Sequence, residues 1–187
     1  MMKKSLLLLF IIVNSVGVMK VNAQVRVAEP EFEQQVMLLT SDSTAVLLDK
    51  EKCEMKSKAS SWGLIPLPGT NLLDKVKIVM SISGKEAKVK THGGNIRLIV
   101  RVEKNTIDPA DLFGVVKFEE KKKSREYVYT EGGVVGGTKL NFGKGTEKFK
   151  GSKYGTSSYL IEIADVRPGQ YGLSATSLLD AATFGVE

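Results

Sequence analysis

Lys144, Lys148, Lys150 and Lys153 alternate with Phe142, Phe149 and Tyr154 in one short stretch of this sequence. Lysines interleaved with aromatic rings can bind single-stranded nucleic acid or an acidic polysaccharide, the charges tracking an anionic chain and the rings stacking on flat groups. A soluble surface loop has the same composition, so the stretch is a candidate ligand site and also reads as a mobile connector. Trp62, the only tryptophan, is a second candidate. It sits in residues 60–73 with two prolines and two glycines, where an indole at a loop tip can stack on a sugar. Capping one end of a core is the commoner use of such a ring.

Other chemistries are excluded or left without support. His92 is the single histidine, which rules out a histidine-based triad or a multi-histidine zinc site within one chain. It stands beside Gly93 and Gly94 and reads as a turn residue. Cys53 is the single cysteine, so no intrachain disulfide forms, and it reads as a small buried apolar residue. Residues 132–139 (GGVVGGTK) imitate a phosphate loop but place Thr138 before Lys139, the reverse of the required order. The acidic residues make chance carboxylate pairs inevitable, and none is marked by its context as an acid and base pair for glycoside hydrolysis. Lys121, Lys122 and Lys123 read as a solvated hairpin tip. No cofactor and no metal are implied.

The elements that would carry these residues are strands. Val76, Ile78, Met80 and Ile82 alternate with polar neighbours, as do Ile96, Leu98, Val100 and Val102. With residues 86–91 between them these predict a three-stranded meander. Residues 32–39 and 44–48 predict a hairpin around Ser41, Asp42 and Ser43, and 49–58, rich in lysine, an exposed edge. Asp108, Pro109, Ala110 and Asp111 predict one capped helical turn. Residues 113–119 and 125–130 flank the lysine tip, and 138–142 predict a further strand. In residues 158–187, Tyr159, Ile161 and Ile163, then Tyr171, Leu173 and Ala175, predict a hairpin about Pro168 and Gly169 in a type II turn. Tyr159, Ile161, Ile163, Tyr171, Leu173, Phe184 and Val186 are the predicted core residues of this stretch.

Residues 1–23 read as a signal peptide: Lys3 and Lys4, an apolar run from Leu6, and Val21, Asn22 and Ala23 before a cut preceding Gln24. Residues 24–187 then form a single domain, exported to the periplasm or beyond the cell, with no transmembrane segment, since no later window approaches the roughly 20 apolar residues of a span. The leader holds three of the 27 basic residues and none of the 21 acidic ones, leaving 24 against 21, a net +3. That modest charge argues against a nucleic-acid partner.

Glu29, Pro30, Glu31 and Phe32 near the start, the turn Arg167, Pro168, Gly169, Gln170 and Tyr171, and the final Phe184, Gly185, Val186 and Glu187 carry a resemblance. The chain resembles secreted proteins of Bacteroidota bacteria in which an EPEF-like start, a P-G-E-Y turn and an F-G-[VI]-[DE] end recur. Gln170 stands where glutamate is usual. The resemblance implies an exported β-sandwich and transfers no activity. The expected fold is all-β: a two-sheet, mainly antiparallel sandwich, immunoglobulin-like or transthyretin-like, of about eight to ten strands. The expected function is a non-catalytic binding or interaction module for an envelope protein or polysaccharide. The alternatives are a carboxylate-dependent hydrolase acting on glycans and an assembly subunit using an edge strand.

Overall fold

Period-2 alternation between apolar and polar side chains gives each strand one face to bury, and the chain solves this with two stacked sheets. The structure, a computed structural model, describes residues 25–59, 75–133, 137–140, 145–175 and 180–187; the stretch read as a signal peptide and Trp62, Phe142 and Lys144 lie outside them. The first strands are β1 (Val36–Leu39), β2 (Ala45–Leu47), β3 (Lys50–Lys52) and β4 (Glu54–Ala59). They are followed by β5 (Lys75–Ser83), β6 (Lys90–Thr91) and β7 (Gly94–Arg101). After the helical turn α1 (Pro109–Leu112) come β8 (Phe113–Glu120), β9 (Ser124–Gly133), β10 (Gly137–Leu140) and β11 (Thr146–Glu147). The chain closes with β12 (Lys150–Tyr154), β13 (Ser158–Val166), β14 (Gly169–Ala175) and β15 (Asp180–Val186). The described strands outnumber the expected eight to ten, in part because β2, β3, β6 and β11 are fragments of two or three residues.

One sheet has five strands in the order β12-β13-β7-β1-β2. The other has ten, running β3-β15-β14-β8-β9-β5-β4 with β6, β10 and β11 attached to its path. Every pairing is antiparallel except β6 with β15. The protein is an all-β sandwich, and its larger sheet is bent. β8 pairs with β14 from Phe113 to Phe118 but with β9 only at Glu119 and Glu120. Val115 of β8 faces the main core with Leu98, Tyr159, Ile161, Tyr171 and Phe184. Its neighbour Val116 points the other way, into a smaller core with Met80, Ile82, Phe118, Tyr127 and Ala181. All seven residues predicted for the core of residues 158–187 are buried in the main one.

Pairing partners correct several expectations. β13 and β14 are both strands, but β13 pairs with β7 and β12 while β14 pairs with β8 and β15. The Pro168 turn is therefore an arch from one sheet to the other, and no hairpin forms there. Tyr171 Oη donates to the Arg167 carbonyl at 2.7 Å and ties the arch back on itself, as a tyrosine corner does. Gly169 has φ 150°, far from the value of a type II turn, and a Cβ there would meet Lys117 Cε at 2.9 Å. The predicted meander also dissolves, because β5 joins β4 and β9 whereas β7 joins β1 and β13. Residues 143–158 read as a mobile connector, but their described part, 145–158, includes β11 on β8 and β12 on β13. Their glycines and lysines hid two short edge pairings.

Other readings agree with the structure. β1 and β2 form the hairpin about residues 41–43, and Asp108 caps α1 by accepting from the Ala110 N–H at 2.9 Å. The lysine-rich edge splits at Cys53 into β3 and β4, one at each end of the ten-stranded path.

The lead-in to β1, Val25 to Pro30, has no regular secondary structure and is bound to the outer face of the five-stranded sheet as a strap. Tyr154, Ser158 and Arg101 are in line on that face, since Ser158 pairs with both Tyr154 and Arg101. Tyr154 Oη donates to the Val27 carbonyl, and Arg101 Nη1 donates to the Pro30 carbonyl at 2.9 Å. The Glu29 carboxylate accepts from Thr156 N (2.7 Å), Ser157 N (3.0 Å) and Ser158 Oγ (2.6 Å). Partial burial pushes the Glu29 carboxyl upward, but these bonds and the Arg101 charge outweigh it and hold it below the usual carboxylate range.

Candidate functional site

A hairpin whose strands pair only near their tip must splay, and the space between the diverging strands forms a groove. β8 and β9 are in register only at Glu119 with Glu126 and Glu120 with Arg125. Further along, the β8 edge that leaves β9 is taken up by the short β11, Thr146 opposite Val116 and Glu147 opposite Val115, while β9 stays paired to β5 on its other edge. The wedge holds a cavity of about 370 Å³. Phe118 and Tyr127, both from the smaller core, line it, with Lys117, Glu119, Glu126, Val128, Lys77 and Gly145 around them. Gly145 closes one wall, where its carbonyl accepts the Lys117 N–H at 2.7 Å. With φ 81° and the Tyr127 ring 3.2 Å from where a Cβ would sit, that position favours glycine.

Glu119 and Glu126 stand directly opposite each other on paired strands, an arrangement that repels unless neutralised. Each has a lysine: Lys121 Nζ is 2.7 Å from Glu119 Oε2, and Lys58 Nζ bonds Glu126 Oε2. The hydrogen bond and charge of Lys121 hold the Glu119 carboxyl below its usual range despite some burial, with help from Lys77 and Lys58. A general acid at neutral pH needs the opposite shift. Burial, with Tyr129 beside it, pushes the Tyr127 phenol up, so it stays a neutral donor. Lys117 Nζ lies 5.2 Å from the centroid of Tyr171 and donates to the Pro168 carbonyl at 3.3 Å. The groove thus offers fixed donors and acceptors of both charges around two rings, a surface suited to a hydroxyl-rich or zwitterionic ligand.

Among the described residues, those singled out from the sequence lie elsewhere and are not brought together. Lys148, Lys150 and Lys153 are exposed along and beside β12. Phe149 is packed against the main core, and Tyr154 is spent on the strap. Trp62 and Lys144 lie outside the described residues. His92 is exposed, and among the described residues no group of three or more His, Cys, Asp or Glu side chains is placed to hold a metal.

Beneath the groove the smaller core contains a charge that sequence reading missed. Arg125 is fully buried, next in register to Ile82, and pairs with Glu51 of β3, whose Oε2 also accepts from Thr183 Oγ1 at 2.6 Å. Its Nε and Nη1 have no hydrogen-bond partner among the described residues. Cys53, a free thiol, packs on the same core. Burial pushes it up to about 11, with the Asp180 and Glu51 carboxylates adding to the shift, which makes it a poor nucleophile at neutral pH. The available signal for Arg125 was alternation, since Arg125, Tyr127 and Tyr129 are two apart.

Comparison with protein-family models, with curated proteins and with solved structures returns no match for this chain.

Proposed function

We propose that this chain is an exported, non-catalytic binding module whose ligand site is the wedge between β8 and β9, and whose ligand is a polysaccharide segment of the cell envelope. The observation that supports this most is the wedge itself: a cavity of about 370 Å³ with Phe118 and Tyr127 against charged donors and acceptors. Export rests on the leader pattern of residues 1–23, and the resemblance to secreted Bacteroidota proteins points the same way. A glycan array, followed by calorimetry on any hit, tests the reading. Glu119→Gln and Tyr127→Phe should each weaken binding about tenfold, the order of one lost hydrogen bond to a charged or buried group. Undiminished binding by both variants, or no binding to any glycan, defeats it.

A hydrolase reading has one observation on its side, the facing pair Glu119 and Glu126 in the cleft. Their lysine partners oppose it. Release of reducing sugar from envelope polysaccharide, abolished by Glu126→Gln, would establish hydrolysis; a wild-type protein without turnover removes it.

A further inference from the structure

The strap is attached to the sandwich in a way that can be undone and remade without disturbing either core. Its one buried residue, Pro30, belongs to neither hydrophobic cluster. It is fixed by hydrogen bonds: Arg26 N–H to the Asp42 carbonyl at 2.7 Å, Tyr154 to Val27, the three donors on Glu29, and Arg101 to Pro30. The seat is shaped for the glutamate. Gly155 has φ 57°, and a Cβ there would come within 2.2 Å of Glu29 Oε1, so the carboxylate reaches the Thr156 and Ser157 amides only because residue 155 has no side chain.

The turn joining strap to β1 is strained. Phe32 N–H donates to Gln35 Oε1 at 3.0 Å and Gln35 N–H to the Phe32 carbonyl at 3.2 Å, a tight reversal that forces Gln34 to φ 61°. A glutamine in the left-handed region carries a conformational cost, and Phe32 in the same turn is 60% exposed. A short strained hinge between a body and an arm held by remakeable contacts is the arrangement that favours exchange of the arm between copies.

We propose that the outer face of the five-stranded sheet is an interaction surface for a second copy of this chain, in which each strap crosses over and seats its Glu29 in the Gly155 to Ser158 nest of the other molecule. Every strap contact is kept in the exchanged dimer; opening the turn gives up the Phe32 and Gln35 pair and the Gln34 N–H bond to the Arg101 carbonyl but lets Gln34 leave the left-handed region. The balance therefore depends on hinge strain and protein concentration, and monomer and exchanged dimer interconvert as concentration rises.

The test is complementation with the full-length chain, read by native mass spectrometry and light scattering. Glu29→Ala has a dead strap and an intact seat; Gly155→Val has an intact strap and a blocked seat. Each alone should stay monomeric at concentrations where the wild type dimerises, and their mixture should form a heterodimer. Ser158→Ala serves as the second seat variant if Gly155→Val loses its folded near-ultraviolet circular dichroism. Gln34→Gly, which relieves the hinge, should weaken wild-type dimerisation about tenfold, reflecting strain at two hinges. A monomeric wild type at millimolar concentration, a folded mixture that stays monomeric, or a dimer unaffected by Glu29→Ala overturns the proposal.

Discussion

In the main core, sixteen described residues from β1, β7, β8, β13, β14, β15 and the adjoining Leu48 are buried together with no charged side chain among them. The smaller core, between β5, β9 and the far side of β8 and β15, gathers six and takes in a guanidinium with two unsatisfied donors. The first is closed by apolar area, and its tyrosine hydroxyls reach backbone carbonyls at Ile107 and Arg167. The second is too small to close on apolar area alone and is joined to its neighbour by an ion pair and a threonine hydroxyl. The groove opens over this second region. The splay lies where the β8 edge passes from β9, at Glu119 and Glu120, to β11, at Val115 and Val116.

The largest expected effect comes from the apolar side of this contrast. Phe184→Ala removes a fully buried ring stacked on Tyr171 with centroids 5.6 Å apart, and should cost about 4 kcal/mol in urea denaturation. Arg125→Met should cost about 3 kcal/mol, since it leaves the Glu51 carboxylate with only the Thr183 hydroxyl as partner. The double variant Arg125→Met with Glu51→Leu should recover most of that, and a double variant as unstable as the single would mean that the ion pair stabilises the smaller core by itself. Val115→Ala and Val116→Ala, on opposite faces of β8, should cost about 2 kcal/mol in the main core and less in the other, where the lining can relax. Equal losses would erase the distinction between the regions.

The smallest effect is on pH dependence. The Glu29 carboxyl lies below its ordinary 4.5 in the folded chain, so its contribution is complete above that value and is lost as pH falls through the lower folded value. Amide exchange at Thr156 and Ser157 should rise on acidification below 4.5 in the wild type, while in Glu29→Gln it should already be raised at neutral pH and insensitive to acid. The main core should remain protected throughout.

Strand identity was legible because alternation is local: Tyr159, Ile161 and Ile163 announce a buried face whatever they pair with. Partners were not legible. Nothing in Arg167 and Pro168 distinguishes a hairpin from an arch, since the choice is made by β7 and β8, more than forty residues away. The helical turn at Asp108 was read correctly because its cap is a contact two residues long. The wedge was invisible, being a space between strands that a local reading joins as a plain hairpin. The Glu29 seat left a trace in Gly155, Thr156, Ser157 and Ser158, small residues with accessible amides, which composition alone presents as a loop.

Val115 and Val116 are adjacent in β8 yet belong to different cores. Pulling β8 away from one face withdraws it from the other as well, so neither half has a private route to opening. The molecule should therefore melt as one cooperative unit despite its two interiors, and the slowest-exchanging amides should cluster along β8 and not at the centre of either sheet stack.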